Sequence, residues 1–281
     1  MSFILRLRSK PTVLTDLRNI SPDKFAGRML NEIRSLSAVE GGRAVSLDTF
    51  FDIDGPSRAP QEVGSIEITV EGGTDKLCYI GYKMTGGKIV IKGSTGHFTG
   101  YKMKGGTIVI YGDTRNYLGA KMAGGTIEVF GNVGHRIGSK LHGEKPGKGM
   151  KGGTIMVHGN AGADVGWGAS GGTIIIDGSA GNFVGSEMTG GVVVVKGSAG
   201  IYPGAGMAGG RIVIGGAVKS LLPSFYLDSI APSIKVKKIP FDKPFAIFIG
   251  DVTVLGRGFL QVSYEDNKDL LEPLTYVLSG E

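Results

Sequence analysis

One cysteine, Cys78, and four histidines are the only thiol and imidazole side chains in a chain of 281 residues. A lone cysteine excludes an internal disulfide framework and any multi-cysteine metal or iron–sulfur site within the chain, and Cys78 reads as a small buried hydrophobe. His97, His135, His142 and His158 fall in no H-x-x-x-H or H-E-x-x-H spacing, so no metal site is indicated. No apolar run approaches the ~18 residues of a membrane span. The start, MSFILRLRSKP, interleaves arginines with its apolar residues and has no signal-peptide core, which points to a cytoplasmic chain. Proline numbers only 11 and no Gly-X-Y triplet persists, which excludes collagen and a proline-rich linker. The net charge of +6 is too small to indicate nucleic acid but suits an acidic partner.

Glycine is what the chain has in excess: 50 residues, of which 39 lie within residues 81–216. Isoleucine and valine are concentrated in the same stretch, so it can bury a core and need not be disordered. A Gly-Gly pair recurs at Gly86, Gly105, Gly124, Gly152, Gly171, Gly190 and Gly209, in steps of 19, 19, 28, 19, 19 and 19. The long step is one repeat plus a nine-residue insertion, Leu141–Gly149. Two residues before each pair stands Met84, Met103, Met122, Met150, Ala169, Met188 or Met207; after it comes an alternating apolar run such as Ile108 and Ile110 or Ile127 and Val129. Most runs end in Gly-xx-Gly-xxx-Gly, as at Gly131, Gly134 and Gly138, with Arg115 replacing one middle glycine.

Period two with β-branched residues is a strand signature. A 19-residue unit is too short for a strand plus a crossover helix, so a coil of strands and turns fits. The fold class expected is mainly β: a right-handed parallel β-helix of 19-residue coils, with Ile/Val and Met ladders inside and glycine at positive-φ corners. An open coil end is a sheet edge and needs a cap. Residues 1–64 read as an N-terminal α/β cap, with a strand through Phe3, Leu5 and Leu7 and one helix from Ser21-Pro22 to about Leu36. Residues 65–220 read as the glycine-rich β-helix, opening with a strand at Ile66, Ile68 and Val70. Residues 221–281 read as a C-terminal extension ending in a hairpin of Phe245–Ile249 and Leu260–Tyr264.

Chemistry is sparse. His158 falls in a register with Lys92, Tyr111, Phe130, Asp177 and Lys196 and reads as a surface residue. His142 and Glu144 lie together in the insertion, where solvation is the ordinary fate of such a pair. The insertion lacks the Walker A spacing: Gly143 and Gly147 bracket three residues and Gly149 follows Lys148. The acidic residues Asp113, Glu128, Asp164, Asp177 and Glu187 sit in different registers, which argues against a carboxylate-lined groove of a polymer-cleaving enzyme. The unusual surface feature is a lysine column, Lys83, Lys102, Lys121 and Lys140. Neighbouring ammonium groups ~4.8 Å apart repel by about 1 kcal/mol in water. Two readings stand: solvated side chains protecting the sheet, or a docking stripe for an acidic protein surface, which His142, Lys145 and Lys148 of the insertion would extend.

The tandem Gly-xx-Gly-xxx-Gly units, each strand preceded by Met-x-Gly-Gly, resemble the glycine-repeat β-helix domain of the glutamate synthase large subunit and of the C subunit of formylmethanofuran dehydrogenase. The flanks are similar to the latter: Ser21-Pro22-Asp23-Lys24-Phe25-Ala26-Gly27, Asp48-Thr49-Phe50-Phe51-Asp52, and Phe248-x-Gly250-Asp251. Arg115 for glycine and Ala169 for Met are departures that touch packing alone. The resemblance implies a non-catalytic subunit of a complex that reduces CO2 and formylates methanofuran, or runs the reverse. It implies partners in a pterin-binding subunit, an amidohydrolase-like subunit and small subunits. The tungsten- or molybdenum-pterin, iron–sulfur clusters and binuclear metal site would lie in those partners, with no cofactor in this chain. The same fold implies an alternative, the corresponding subunit of the formyltransferase/hydrolase complex, which works without a redox step.

Overall fold

The computed structural model describes the backbone of residues 1–279 and the side chains of residues 1–274. The chain is mainly β, dominated by a 13-stranded, mostly parallel sheet. Ten strands run parallel in order: Ser2–Leu7, Glu67–Gly73, Lys88–Gly93, Thr107–Ile110, Thr126–Val129, Thr154–Val157, Ser170–Ile176, Thr189–Val195, Gly209–Ile214 and Gly258–Ser263. The 19-residue register holds in the pairing, with Ile108 beside Ile127. Ile127 in turn pairs with Ile155, so the insertion loops out without shifting the ladder. Alternation sends Ile89, Ile91, Ile108, Ile110, Ile127 and Val129 into a fully buried column. Each such side chain contributes about 1.5–3 kcal/mol.

Successive repeats are also joined at their corners. The Tyr79 N–H donates to the His97 carbonyl, Phe98 to Asn116 and Tyr117 to His135; the Lys83 N–H donates to Tyr101 and Lys102 to Ala120. These donors have positive φ, from 55° at Lys83 to 66° at Tyr117, so glycine is not the sole occupant of the left-handed corners as the sequence suggests. The left-handed conformation costs roughly 1–2 kcal/mol per residue. Here the corner side chains stack outward, Tyr79 on Phe98 at 4.8 Å and Phe98 on Tyr117 at 4.5 Å, and such pairs return about 0.5–1.5 kcal/mol each.

A further set of bonds runs from polar side chains to the next repeat. Asp113 Oδ1 accepts from Asn132 N (2.7 Å), Asn132 Oδ1 from Asn160 N (2.9 Å) and Asn160 Oδ1 from Ser179 N (2.8 Å). Cys78 belongs to a parallel column. Its buried Sγ accepts from His97 N at 3.3 Å, as Asn116 Oδ1 accepts from His135 N at 2.9 Å.

The Met-x-Gly-Gly motif has a packing cause. A Cβ on Gly125 would sit 2.8 Å from Met103 Cε, and one on Gly153 would sit 2.7 Å from Met122 Cε. Each methionine end thus occupies the space over the second glycine of the next repeat.

The flanking segments bond to the first and last repeats. At the first repeat the Thr85 N–H, which has no earlier carbonyl to meet, donates to Asp23 Oδ2 (3.0 Å). At the last, the Gly206 N–H donates to Asp251 Oδ2 (3.0 Å) and the Val218 N–H to Asn267 Oδ1 (2.7 Å). Antiparallel strands finish the sheet edges: Phe51–Asp54 beside Ser2–Leu7, and Phe245–Gly250 with Tyr226–Ala231 beyond Gly258–Ser263.

The expected single N-terminal helix is two, Pro22–Phe25 and Leu30–Arg34. Between them Gly27 N bonds the Pro60 carbonyl and Leu30 N the Ser57 carbonyl, so pairing with 57–60 breaks the helix and leaves Met29 exposed. The C-terminal extension is more than a hairpin. Ile234–Val236 and Ile239–Phe241 lie over the outer face of the sheet, where Ile234, Val236 and Phe245 bury Ile175, Val194 and Val213, and a helix follows at Lys268–Ser279. Among the described residues no helix is long and apolar enough to cross a membrane.

Candidate functional site

Two surface regions hold the polar chemistry. The first is a groove of about 210 Å³ lined by Lys83, Lys102, Lys104, Lys121, Ala123 and Lys151. Lys83, Lys102 and Lys121 are the residues before the Met column; Lys104 and Lys151 follow it, so buried Met84, Met103 and Met122 place lysines on both sides of one ridge. The Lys83 ammonium lies 5.1 Å from the ring centre of Tyr82, and that of Lys102 lies 5.1 Å from Tyr101. Lys121 pairs with Glu144 of the insertion. The other four groove lysines have no carboxylate within 4 Å among the described residues. Lys104 and Lys151 were not singled out by sequence, although both stand two residues after the lysine column in the same 19-residue register.

Lys140 departs from expectation. The insertion begins immediately after it, and its side chain turns inward at 4% exposure instead of joining the stripe. Its Nζ pairs with Glu187 Oε2 at 2.8 Å, donates to the Glu144 carbonyl and lies 4.5 Å from the ring centre of Trp167. His142 meets Trp167 edge-on at 5.2 Å and does not pair with Glu144. Burial alone would raise the Glu144 carboxyl, but hydrogen bonds from Lys121 and the Leu141 N–H outweigh it and hold Glu144 below the ordinary carboxylate value. Lys145 and Lys148 are exposed on the insertion.

The second region is the outer face of the parallel sheet. His158 is half-buried: Nδ1 lies 2.7 Å from Asp177 Oδ2, Nε2 lies 3.0 Å from Glu128 Oε1, and the ring stacks on Phe130 at 4.8 Å. Lys196 completes the cluster at 2.7 Å from Asp177. Glu128 and Asp177 do occupy different registers, yet one imidazole reaches both, which spacing by 19 did not reveal. The hydrogen bond to Glu128, working against burial and joined by Asp177, raises the His158 pKa above its ordinary value. The two carboxylates favour the charged form of the imidazole, which makes His158 an ion-pair hub on this face.

This has a pH consequence. A raised folded-state pKa means that His158 contributes stability fully below about pH 6.5, the unfolded value, and loses it as pH rises through the higher folded value. The stability gap between wild type and His158→Gln is therefore expected to shrink by about 0.5–1 kcal/mol between pH 6 and 8. Urea melts at both pH values check this, and a constant gap overturns it.

The remaining candidates have other partners in the fold. Burial pushes the Cys78 thiol pKa up, away from the reactive thiolate. Asp164 pairs with Arg136 at 3.3 Å, and Asp113 serves the corner ladder. Among the described residues no group of three or more His, Cys, Asp or Glu side chains is arranged to hold a metal ion.

Comparison with known proteins bears on what such a surface serves. The GXGXG motif family matches residues 92–224. The C subunit of tungsten-containing formylmethanofuran dehydrogenase 2 from Methanothermobacter wolfeii is 34% identical over 96 residues, which is 34% of this chain and 34% of that protein. The C subunit of molybdenum-containing formylmethanofuran dehydrogenase 1 from Methanothermobacter thermautotrophicus is 39% identical over 96 residues, 34% of this chain and 23% of that one. The aligned part thus spans about a third or less of these curated relatives. Among solved structures, a chain of the formyltransferase/hydrolase complex (FhcABCD) from Methylorubrum extorquens, determined with methylofuran, superposes with a TM-score of 0.80 at 29% identity, covering 92% of this chain and 99% of that one.

Proposed function

We propose that this chain, which its glycine repeat makes a relative of the C subunits of formylmethanofuran dehydrogenases, is the non-catalytic structural subunit of such a complex, acting in CO2 reduction and methanofuran formylation or the reverse. The observation that carries this reading is the near-complete superposition on one chain of a multisubunit one-carbon complex, joined to sequence identity with the C subunits. In this reading residues 65–220 wind as a right-handed parallel β-helix, supported by the corner hydrogen bonds that join each repeat to the next. Residues 1–64 and 221–281 are its caps, supported by the Asp23, Asp251 and Asn267 bonds to open coil ends.

The partners are a pterin-binding subunit, an amidohydrolase-like subunit and small subunits, in the cytoplasm. They hold the tungsten- or molybdenum-pterin, the iron–sulfur clusters and the binuclear metal site, while this chain supplies shape. Lys83, Lys102 and Lys121, with His142, Lys145 and Lys148 on the insertion, face those partners; the buried Lys140 supports the insertion from below.

The coverage of the formyltransferase/hydrolase chain favours a second reading, the equivalent subunit of that complex. Affinity purification of the tagged native protein with mass spectrometry of what accompanies it decides between them. A partner carrying a molybdopterin and iron–sulfur clusters is expected. Amidohydrolase and formyltransferase partners without a pterin protein would establish the second reading, and a chain that purifies alone would overturn both.

A further inference from the structure

We infer that the lysine groove is a cradle for an acidic α-helix, a partner segment presenting carboxylates at i, i+4 and i+7; this deepens the docking reading above and rests on it.

The spacing selects the ligand. Successive repeats stack about 4.8 Å apart, so the ammonium groups of Lys83, Lys102 and Lys121 are anchored over roughly 9.6 Å. Along one face of an α-helix, positions i, i+4 and i+7 span about 10.5 Å, at 1.5 Å per residue. The mismatch of about 1 Å is easily absorbed by flexible four-carbon lysine stems. An extended strand presents same-face side chains every ~6.7 Å, so three of them span roughly 13.4 Å and overrun the column by nearly one repeat.

Charge and shape agree with that match. Four of the five groove lysines are without a carboxylate within 4 Å among the described residues, and Glu144, paired with Lys121, offsets only part of the groove's positive charge. Lys104 and Lys151 stand on the far side of the Met ridge, and Ala123 between them leaves the floor open. A nucleic-acid strand suits the groove less well. The adjoining rings of Tyr82 and Tyr101 stack on one another at 5.8 Å, and Arg18 and Lys83 also lie over Tyr82, so these rings are already engaged instead of offered to bases.

The test uses the full chain and fluorescence anisotropy with three labelled probes: an alanine-rich helical peptide with glutamate at i, i+4 and i+7; a peptide of equal charge with alternating Glu and Thr; and a 15-nucleotide oligo-dT. The helical peptide is expected to bind at least tenfold more tightly than either other probe, with affinity falling as salt rises. Lys102→Glu with Lys104→Glu is expected to lower it at least tenfold, as is the milder Lys104→Ala with Lys151→Ala. Lys235→Glu, exposed on Ile234–Val236 and outside the groove lining, is expected to leave it unchanged. Thermal melts confirm that each variant folds. Equal binding of the extended peptide or oligo-dT, no binding of the helical peptide, or indifference to both groove variants would overturn the inference. Co-purification of the native complex is a separate readout, so losing the helix ligand does not decide subunit membership.

Discussion

Gly125→Ala is expected to cost about 2–4 kcal/mol of stability, the sum of a left-handed backbone penalty of roughly 1–2 kcal/mol and an overpacking cost of similar size. Gly125 has φ +87°, and a Cβ there would lie 2.7 Å from the Gly106 carbonyl oxygen and 2.8 Å from Met103 Cε. The oxygen belongs to the neighbouring repeat's backbone and cannot retreat without shifting the ladder. Gly42 provides the control. Its φ is +83°, but a Cβ there meets nothing within 4 Å, so Gly42→Ala is expected to cost only the backbone penalty of about 1–2 kcal/mol. Urea unfolding of the two variants separates conformation from stacking, and equal midpoints would refute the account of the Met-x-Gly-Gly motif.

Lys140→Glu is expected to cost about 3–5 kcal/mol, because it places an unpaired carboxylate in a buried site beside Glu187 and the Glu144 carbonyl. Lys145→Glu and Lys148→Glu, both exposed, are expected to shift stability by no more than about 0.5 kcal/mol. Thermal melts of the three variants read this directly. A Lys140→Glu protein as stable as wild type would restore Lys140 to the exposed column. The contrast also guides docking experiments: charge reversal at Lys102 and Lys104 probes a surface, whereas at Lys140 it probes folding.

Much of the architecture was legible because stacking repeats one local environment. Ile108, Ile127 and Ile155 sit at the same place in successive repeats, so one preference for an apolar β-branched residue is written several times, and the insertion stands out as the one break. The contacts of the flanking segments were less legible. Asp23 and Asp251 appear in the flanking motifs as ordinary residues, and only the unpaired Thr85 and Gly206 N–H groups give them a task. The single helix drawn through Phe25, Met29 and Ile33 failed because helical periodicity does not register competition from the 57–60 segment.

The amino-acid sequence by itself determined the repeat length, the parallel register and the buried Ile, Val and Met columns, since those follow from side-chain size and chain geometry within one repeat. Only the tertiary structure decided which charges are free and which are spent. Lys121 and Lys140 differ from Lys83 and Lys102 because the insertion carries Glu144 over the first two, and Glu128 meets Asp177 because His158 bridges them from a third repeat. Such pairings depend on where a loop folds back and how far a side chain reaches, and a period of 19 residues records neither.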